Sequence, residues 1–154
     1  MKIFNASQVK EADAASIQKQ NITSTELMER AATKAFQWIQ NKFTNRETTF
    51  HVFCGQGNNG GDGLVIARLL KKEGYNVAVT IVEGAGKPTK DFTINLNRLK
   101  SVGVEPTLNY AEAEKKQVII DAIFGIGLTR PLDDEVEKVI TYINTTKAVK
   151  IAID

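Results

Sequence analysis

The run Cys54-Gly55-Gln56-Gly57-Asn58-Asn59-Gly60-Gly61-Asp62-Gly63-Leu64-Val65 is the part of the chain with the most chemical potential. Five glycines fall within the nine positions 55–63, following an apolar stretch and preceding a helical one. Glycines there admit backbone geometries that a Cβ would block. Consecutive amides at a helix N-terminus then favour an anion such as a phosphate. Residues 55–60 satisfy G-x-G-x-x-G, and Glu83 stands about where a ribose-binding acid would. Asp62 argues against an ordinary dehydrogenase, because it brings negative charge to the helix start where a pyrophosphate would sit. Nor is a hydride-transfer partner evident. Taken singly, Asn58, Asn59 and Asp62 read as turn formers or a helix cap. The whole run at a strand–helix junction favours a site.

Two further strand ends carry acids. Asp121-Ala122-Ile123-Phe124-Gly125-Ile126-Gly127-Leu128-Thr129-Arg130-Pro131 opens on an aspartate at the end of an apolar run, where an unpaired carboxylate is costly to bury. Gly125 and Gly127 permit close backbone approach, and Thr129 and Arg130 suit a phosphate or ribose. A cap role for Asp121 and a solvated Arg130 are the plainer readings, and for Arg130 alone the two weigh equally. Ile151-Ala152-Ile153-Asp154 is another strand ending in aspartate. The chain stopping there reads as truncated. Other candidates fall away. Gly84-Ala85-Gly86-Lys87-Pro88-Thr89 lacks the first glycine of a phosphate loop and has proline where Ser or Thr belongs. His51, the single histidine, lies within a strand, which disfavours zinc and histidine-dependent triads. Cys54 reads as core, and Lys115-Lys116 is too short for a nucleic-acid patch.

The elements that must position these residues follow from periodicity. Ser7 can cap a first helix running to about Lys19. Thr23-Ser24-Thr25-Glu26 has capping-box spacing. Behind it run two apolar stripes, Leu27/Ala31/Ala35/Trp38 and Met28/Ala32/Phe36/Ile39/Phe43. Two stripes need two burial partners; a core reading of both is favoured over a dimer seam. Strands are expected at 48–54, 76–82, 117–120 and 148–153, with a short one possible at 104–108. Helices are expected at 61–73, 89–100 and 133–144. Strands alternating with helices imply βαβ units and a parallel sheet, with ligands beyond the strand C-termini where the strand order reverses.

The chain has 154 residues, 42% hydrophobic and 25% charged, which suits one ordered domain. Twenty Lys+Arg against eighteen Asp+Glu leave +2, which excludes nucleic-acid binding driven by bulk charge. One cysteine excludes an intrachain disulfide, and no run approaches the ~20 apolar residues of a membrane span. A cytoplasmic domain with no nucleic-acid or membrane partner is expected.

With Ala67-Arg68 one turn on, the 55–64 and 121–130 runs resemble the YjeF N-terminal domain family, the NAD(P)H-hydrate epimerases. The resemblance covers essentially the whole chain. It implies a Rossmann-like three-layer α/β/α fold with a mostly parallel sheet and an N-terminal helical segment, residues 1–154 being an epimerase domain that lacks the family's Pro-Ser-Gly continuation. It implies interconversion of the R and S epimers of NADHX and NADPHX, the cofactors hydrated at C6 of the reduced ring. By matching positions, Asn58, Asn59, Gly60, Gly61, Asp62, Gly125, Ile126, Gly127, Leu128, Thr129, Arg130, Pro131 and Asp154 would contact substrate. Asn59 and Asp121 would bind a potassium ion, and Asp154 would be catalytic. The resemblance further implies a homodimer and fusion to a C-terminal dehydratase. The alternative is a non-catalytic nucleotide-binding or scaffold module of the same fold.

Overall fold

The computed structural model describes residues 5–85, 87–110, 117–125 and 131–154. Element order is α1 (Ala6–Gln20), α2 (Ser24–Lys42), β1 (Thr49–Cys54), α3 (Asn58–Lys72), β2 (Asn76–Ile81), α4 (Lys90–Lys100), β3 (Gln117–Ala122), α5 (Asp134–Thr145) and β4 (Val149–Ala152). The expected capping box forms at α2: the Thr23 hydroxyl accepts from the Glu26 amide, and the Glu26 carboxylate accepts from the Thr23 amide. At α1 the cap is Asn5, not Ser7. Asn5 forms its own capping box with Gln8, while the Ser7 hydroxyl turns along the helix to Glu11.

All named strands pair in parallel, in the order β2-β1-β3-β4. The order reverses between β1 and β3, so the crevice lies beyond Cys54 and Ala122. The 104–108 stretch makes no full strand. Only Thr107 joins the sheet, in an isolated parallel bridge to Thr80. Its N–H donates to Val79 O, and its carbonyl accepts from Ile81, each at 2.9 Å. That bridge lies on the outer flank of β2, so the chain keeps moving outward through α4. A right-handed crossover then leaves α4 on the same face as α3.

Helices α2, α3 and α4 cover one face, where Met28, Phe36, Ile39, Leu64, Ile66, Phe92 and Leu99 join Val52, Cys54 and Ile120 in one buried cluster. Helix α5 covers the other, with Val136, Val139 and Ile143 against Phe53 and Ile119. The three-layer α/β/α expectation holds. Only the Met28 stripe of α2 is core. The other stripe is only partly covered: Leu27 and Ala35 are half-buried, with Ala35 against the core, Ala31 is exposed and Trp38 is 57% exposed. Among the described residues no helix is long and apolar enough to cross a membrane.

Helix α3 rests on the sheet through Gly63. A Cβ there would stand 2.6 Å from Ala122 Cβ and 2.9 Å from Cys54 Sγ. Gly63→Ala therefore overpacks the joint between α3, β1 and β3, and we expect a loss of about 1–3 kcal/mol. An unchanged urea midpoint would contradict this packing.

Candidate functional site

The site is assembled where β1, β3 and β4 end. Helix α3 begins at Asn58, three residues earlier than its glycines suggest, so Asn58, Asn59 and Asp62 are helical residues and not turn formers. Its N-cap is Gly57, with no side-chain cap, and the first intrahelical bond to it comes from the Gly61 amide at 3.1 Å. The amides of Asn58, Asn59 and Gly60 are therefore the helix's open donors. The helix can start this early because two backbones nearly touch. A Cβ on Gly60 would stand 1.7 Å from Gly55 O, and one on Gly55 would stand 2.1 Å from Ile123 O.

Asn59 connects the three strand ends. Its Nδ2 donates to Ile153 O at 3.0 Å, and the Ile153 N–H donates to Asp121 O at 2.8 Å. Across the crevice, Gly125 sits so close that a Cβ on it would be 3.5 Å from Asn59 Oδ1. Asp121 is half-buried on the strand's penultimate position, with Ala122 last. Its Oδ1 accepts from the Ile123 amide at 3.1 Å, a local turn that satisfies one oxygen and leaves the second available. Asp154 follows Ile153 directly and is exposed. Asn59, Asp121, Gly125 and Ile153–Asp154 are thus brought together, with exposed Asn58 on the same helix turn.

Other expected residues lie differently. Gly61 faces α2, where a Cβ would meet Met28 Sδ at 2.8 Å, so only its backbone is available to a ligand. Asp62 sits with Asp13 of α1 and Asp91 of α4 rather than against Gly125. Burial, then Asp13, then Asp91 push its carboxyl up to about 7, so much of its charge is lost at neutral pH. This eases the conflict between Asp62 and an anion at the helix start. Pro131 is exposed just ahead of α5. Ile126, Gly127, Leu128, Thr129 and Arg130 lie outside the described residues.

His51 and Cys54 are structural, as expected. His51 is buried, bonded to the Thr80 hydroxyl at 2.8 Å and stacked on Phe53, and burial lowers its pKa to about 4. Burial, then Asp121, push the Cys54 thiol far up, so it is no nucleophile. The Ile153 peptide and Asp91 went unnoticed in the sequence. Asp91 is buried and accepts from the Thr25 hydroxyl, fastening α4 to the start of α2. Both depend on contacts between distant segments, which periodicity does not report.

The family model described as YjeF-related protein N-terminus matches residues 24–154. The chain belongs to that family. It is 31% identical to the NAD(P)H-hydrate epimerase of Oenococcus oeni, over 98% of this chain and 72% of that one. It is 33% identical to the NAD(P)H-hydrate epimerase of Limosilactobacillus reuteri (strain DSM 20016), over 99% and 72%. Against the bifunctional NAD(P)H-hydrate repair enzyme Nnr of Dictyoglomus turgidum it is 35% identical, over 100% of this chain and 31% of that one. The crystal structure of yeast ynu0 superposes with a TM-score of 0.84 at 25% identity, covering 100% of this chain and 70% of that one. The chain therefore spans under a third of the bifunctional relative's length.

The raised carboxyl of Asp62 has a consequence for stability. Below the ordinary value of 3.8 the group is protonated folded and unfolded alike, and costs nothing. As pH rises, the unfolded chain ionises first, so stability is lost between about 4 and about 7 and the loss is complete above that. Asp62→Asn should match the wild type near pH 4 and exceed it by roughly 2–4 kcal/mol at pH 8. Denaturant titrations across pH check this; a difference that does not vary with pH would contradict it.

Proposed function

We propose that this chain epimerises C6-hydrated NADHX and NADPHX at the rim where β1, β3 and β4 end. The observation that carries this reading is the Asn59 bridge, which ties the open amides of α3 to the Asp121 and Asp154 strand ends. From β4 to β2 the rim is three strand spacings wide, about 14 Å, which suits a long, two-headed ligand. Family membership supports the substrate class, since relatives that align over nearly all of this chain are named NAD(P)H-hydrate epimerase.

In this reading the dinucleotide lies along the rim with the open amides of Asn58, Asn59 and Gly60 facing its phosphates and with Asp154 at the hydrated ring. The Gly61 backbone, Gly125 and residues 126–131 complete the substrate contacts, while the Asp62 side chain, turned toward Asp13 and Asp91, stands behind them. The C6–O bond breaks as the ring nitrogen's lone pair forms the C=N bond, and the hydroxyl takes up a proton from solvent and leaves as water. Water adds to the opposite face and gives up a proton, restoring the balance with no hydride transferred. Asp154 stabilises the transient cation and takes the proton from incoming water.

The donors also suit a potassium ion. The Asn59 amide nitrogen is committed to Ile153, which leaves Oδ1 as the side chain's acceptor, and Asp121 retains one oxygen beyond its turn. Hard oxygen donors of this kind hold alkali or alkaline-earth cations. Among the described residues no three His, Cys, Asp or Glu side chains gather as a metal-ligand set. When bound, the ion would supply positive charge between Asp121 and the substrate phosphates.

We place the domain at residues 1–154, in the cytoplasm, with its S product passed to a dehydratase as in a bifunctional repair enzyme. The exposed Trp38 stripe of α2 supports a homodimer. Asn58, Asn59, Asp62 and Asp121 are all present, which favours catalysis over a scaffold role. Asp154→Ala should reduce R-to-S exchange of NADPHX to the spontaneous rate, with an unchanged melting temperature. Exchange at the wild-type rate would refute the assignment of Asp154.

A further inference from the structure

The segment joining β2 to α4, set aside above as a failed phosphate loop, packs against the site. Three contacts pin it. The Thr89 amide donates to Gln56 O at 3.1 Å. Ala85 is buried in the same cluster as Ile123 and Val136. Gly84, at φ +81°, turns beside Asp133, whose Oδ2 lies 2.7 Å from where a Cβ on Gly84 would stand. The segment is thus clamped between the Gly55–Gly57 turn on one side and the β3 exit and α5 start on the other. Between these pins lies Lys87, which is exposed. No acidic side chain among the described residues pairs with it. Pro88 follows it, which biases Lys87 itself to an extended backbone.

The charge balance of the rim gives this lysine a task. Asp121, Asp133, Asp154 and Glu83 all stand on or beside the strand ends. A dinucleotide brings two more negative groups. The open amides of α3 offer only partial charge. Lys138, on the second turn of α5, is already held by Glu135 at 2.5 Å. We propose that Lys87 is a side-chain cation that holds the substrate's diphosphate bridge against the start of α3. This rests on the dinucleotide reading above and adds a positioning residue to it. The ammonium acts as a point charge donating to phosphate oxygens, and no bond is made or broken. The tie from Thr89 to Gln56 selects the diphosphate over a more distant phosphate, because it fixes the segment to the turn from which α3 starts.

The test is titration of NADHX and NADPHX into the wild-type protein, Lys87→Ala and Lys87→Arg at low and high salt, alongside steady-state epimerisation. Lys87→Ala should weaken both ligands about tenfold and flatten the salt dependence, and Lys87→Arg should recover most of the affinity. The loss should appear in KM with kcat little changed, a split that a merely structural role would not produce. Equal affinity of wild type and Lys87→Ala, with epimerisation intact, would overturn the lysine's role and leave the dinucleotide reading standing. A loss confined to NADPHX would move the lysine to the ribose 2′-phosphate and also overturn the proposal. A wild-type protein that binds neither ligand would overturn both readings.

Discussion

The side-chain amide of Asn59 is the constraint on which the site depends. One hydrogen bond to Ile153 O joins the first turn of α3 to the end of β4, and the Ile153 amide passes the connection to the backbone of Asp121. Segments separated by up to 94 residues meet there, and the bridge adds a side-chain tie to the β1–β3 and β3–β4 pairings that set their register. The sheet sets the strand ends side by side, and the bridge ties the first turn of α3, with its open amides, to that rim. The bridge also uses the amide's donor and thereby fixes which end of Asn59 remains as an acceptor.

That bridge is possible only because the backbones around it come unusually close. Gly55, Gly60 and Gly63 stand where a Cβ would collide with a carbonyl, a sulfur or a methyl group. Glycines within a helix ordinarily cost about 1 kcal/mol each relative to alanine. Here the helix tolerates them because it is seated on β1 and β3 and buried among Leu64, Val65 and Ile66. The N-cap itself is Gly57, which stands in open space and offers no side-chain cap, so the amides behind it are available to a ligand. Stability and site chemistry are coupled through these few residues.

Much of this was legible in the sequence because it is local. Strand and helix periods placed each named strand to within two residues, and the Thr23–Glu26 spacing marked the start of α2. The glycine run, Asp121 and Asp154 were recognisable as strand-end chemistry. What was misread depends on tertiary contacts. The start of α3 looked like loop because its glycines are poor helix formers, and only packing against Gly55 and the sheet reveals the helix. Residues 104–108 carried strand character, yet Thr107 alone finds a partner on β2. The Leu27 stripe reads as core, but α3 and α4 cover mainly the Met28 face and only Ala35 of the other stripe reaches the cluster. The pinning of Lys87's segment to Gln56 and Asp133 is a contact between distant backbones, which residue spacing does not encode.

The central claim is that one ligand touches all three strand ends at once. Backbone amide NMR during titration with NADPHX tests it most directly. Shifts concentrated at residues 55–60, 123–125 and 153–154, saturating together with one affinity, are the predicted result. Shifts confined to a single one of these segments, or centred on the outer flank of α5, would contradict it.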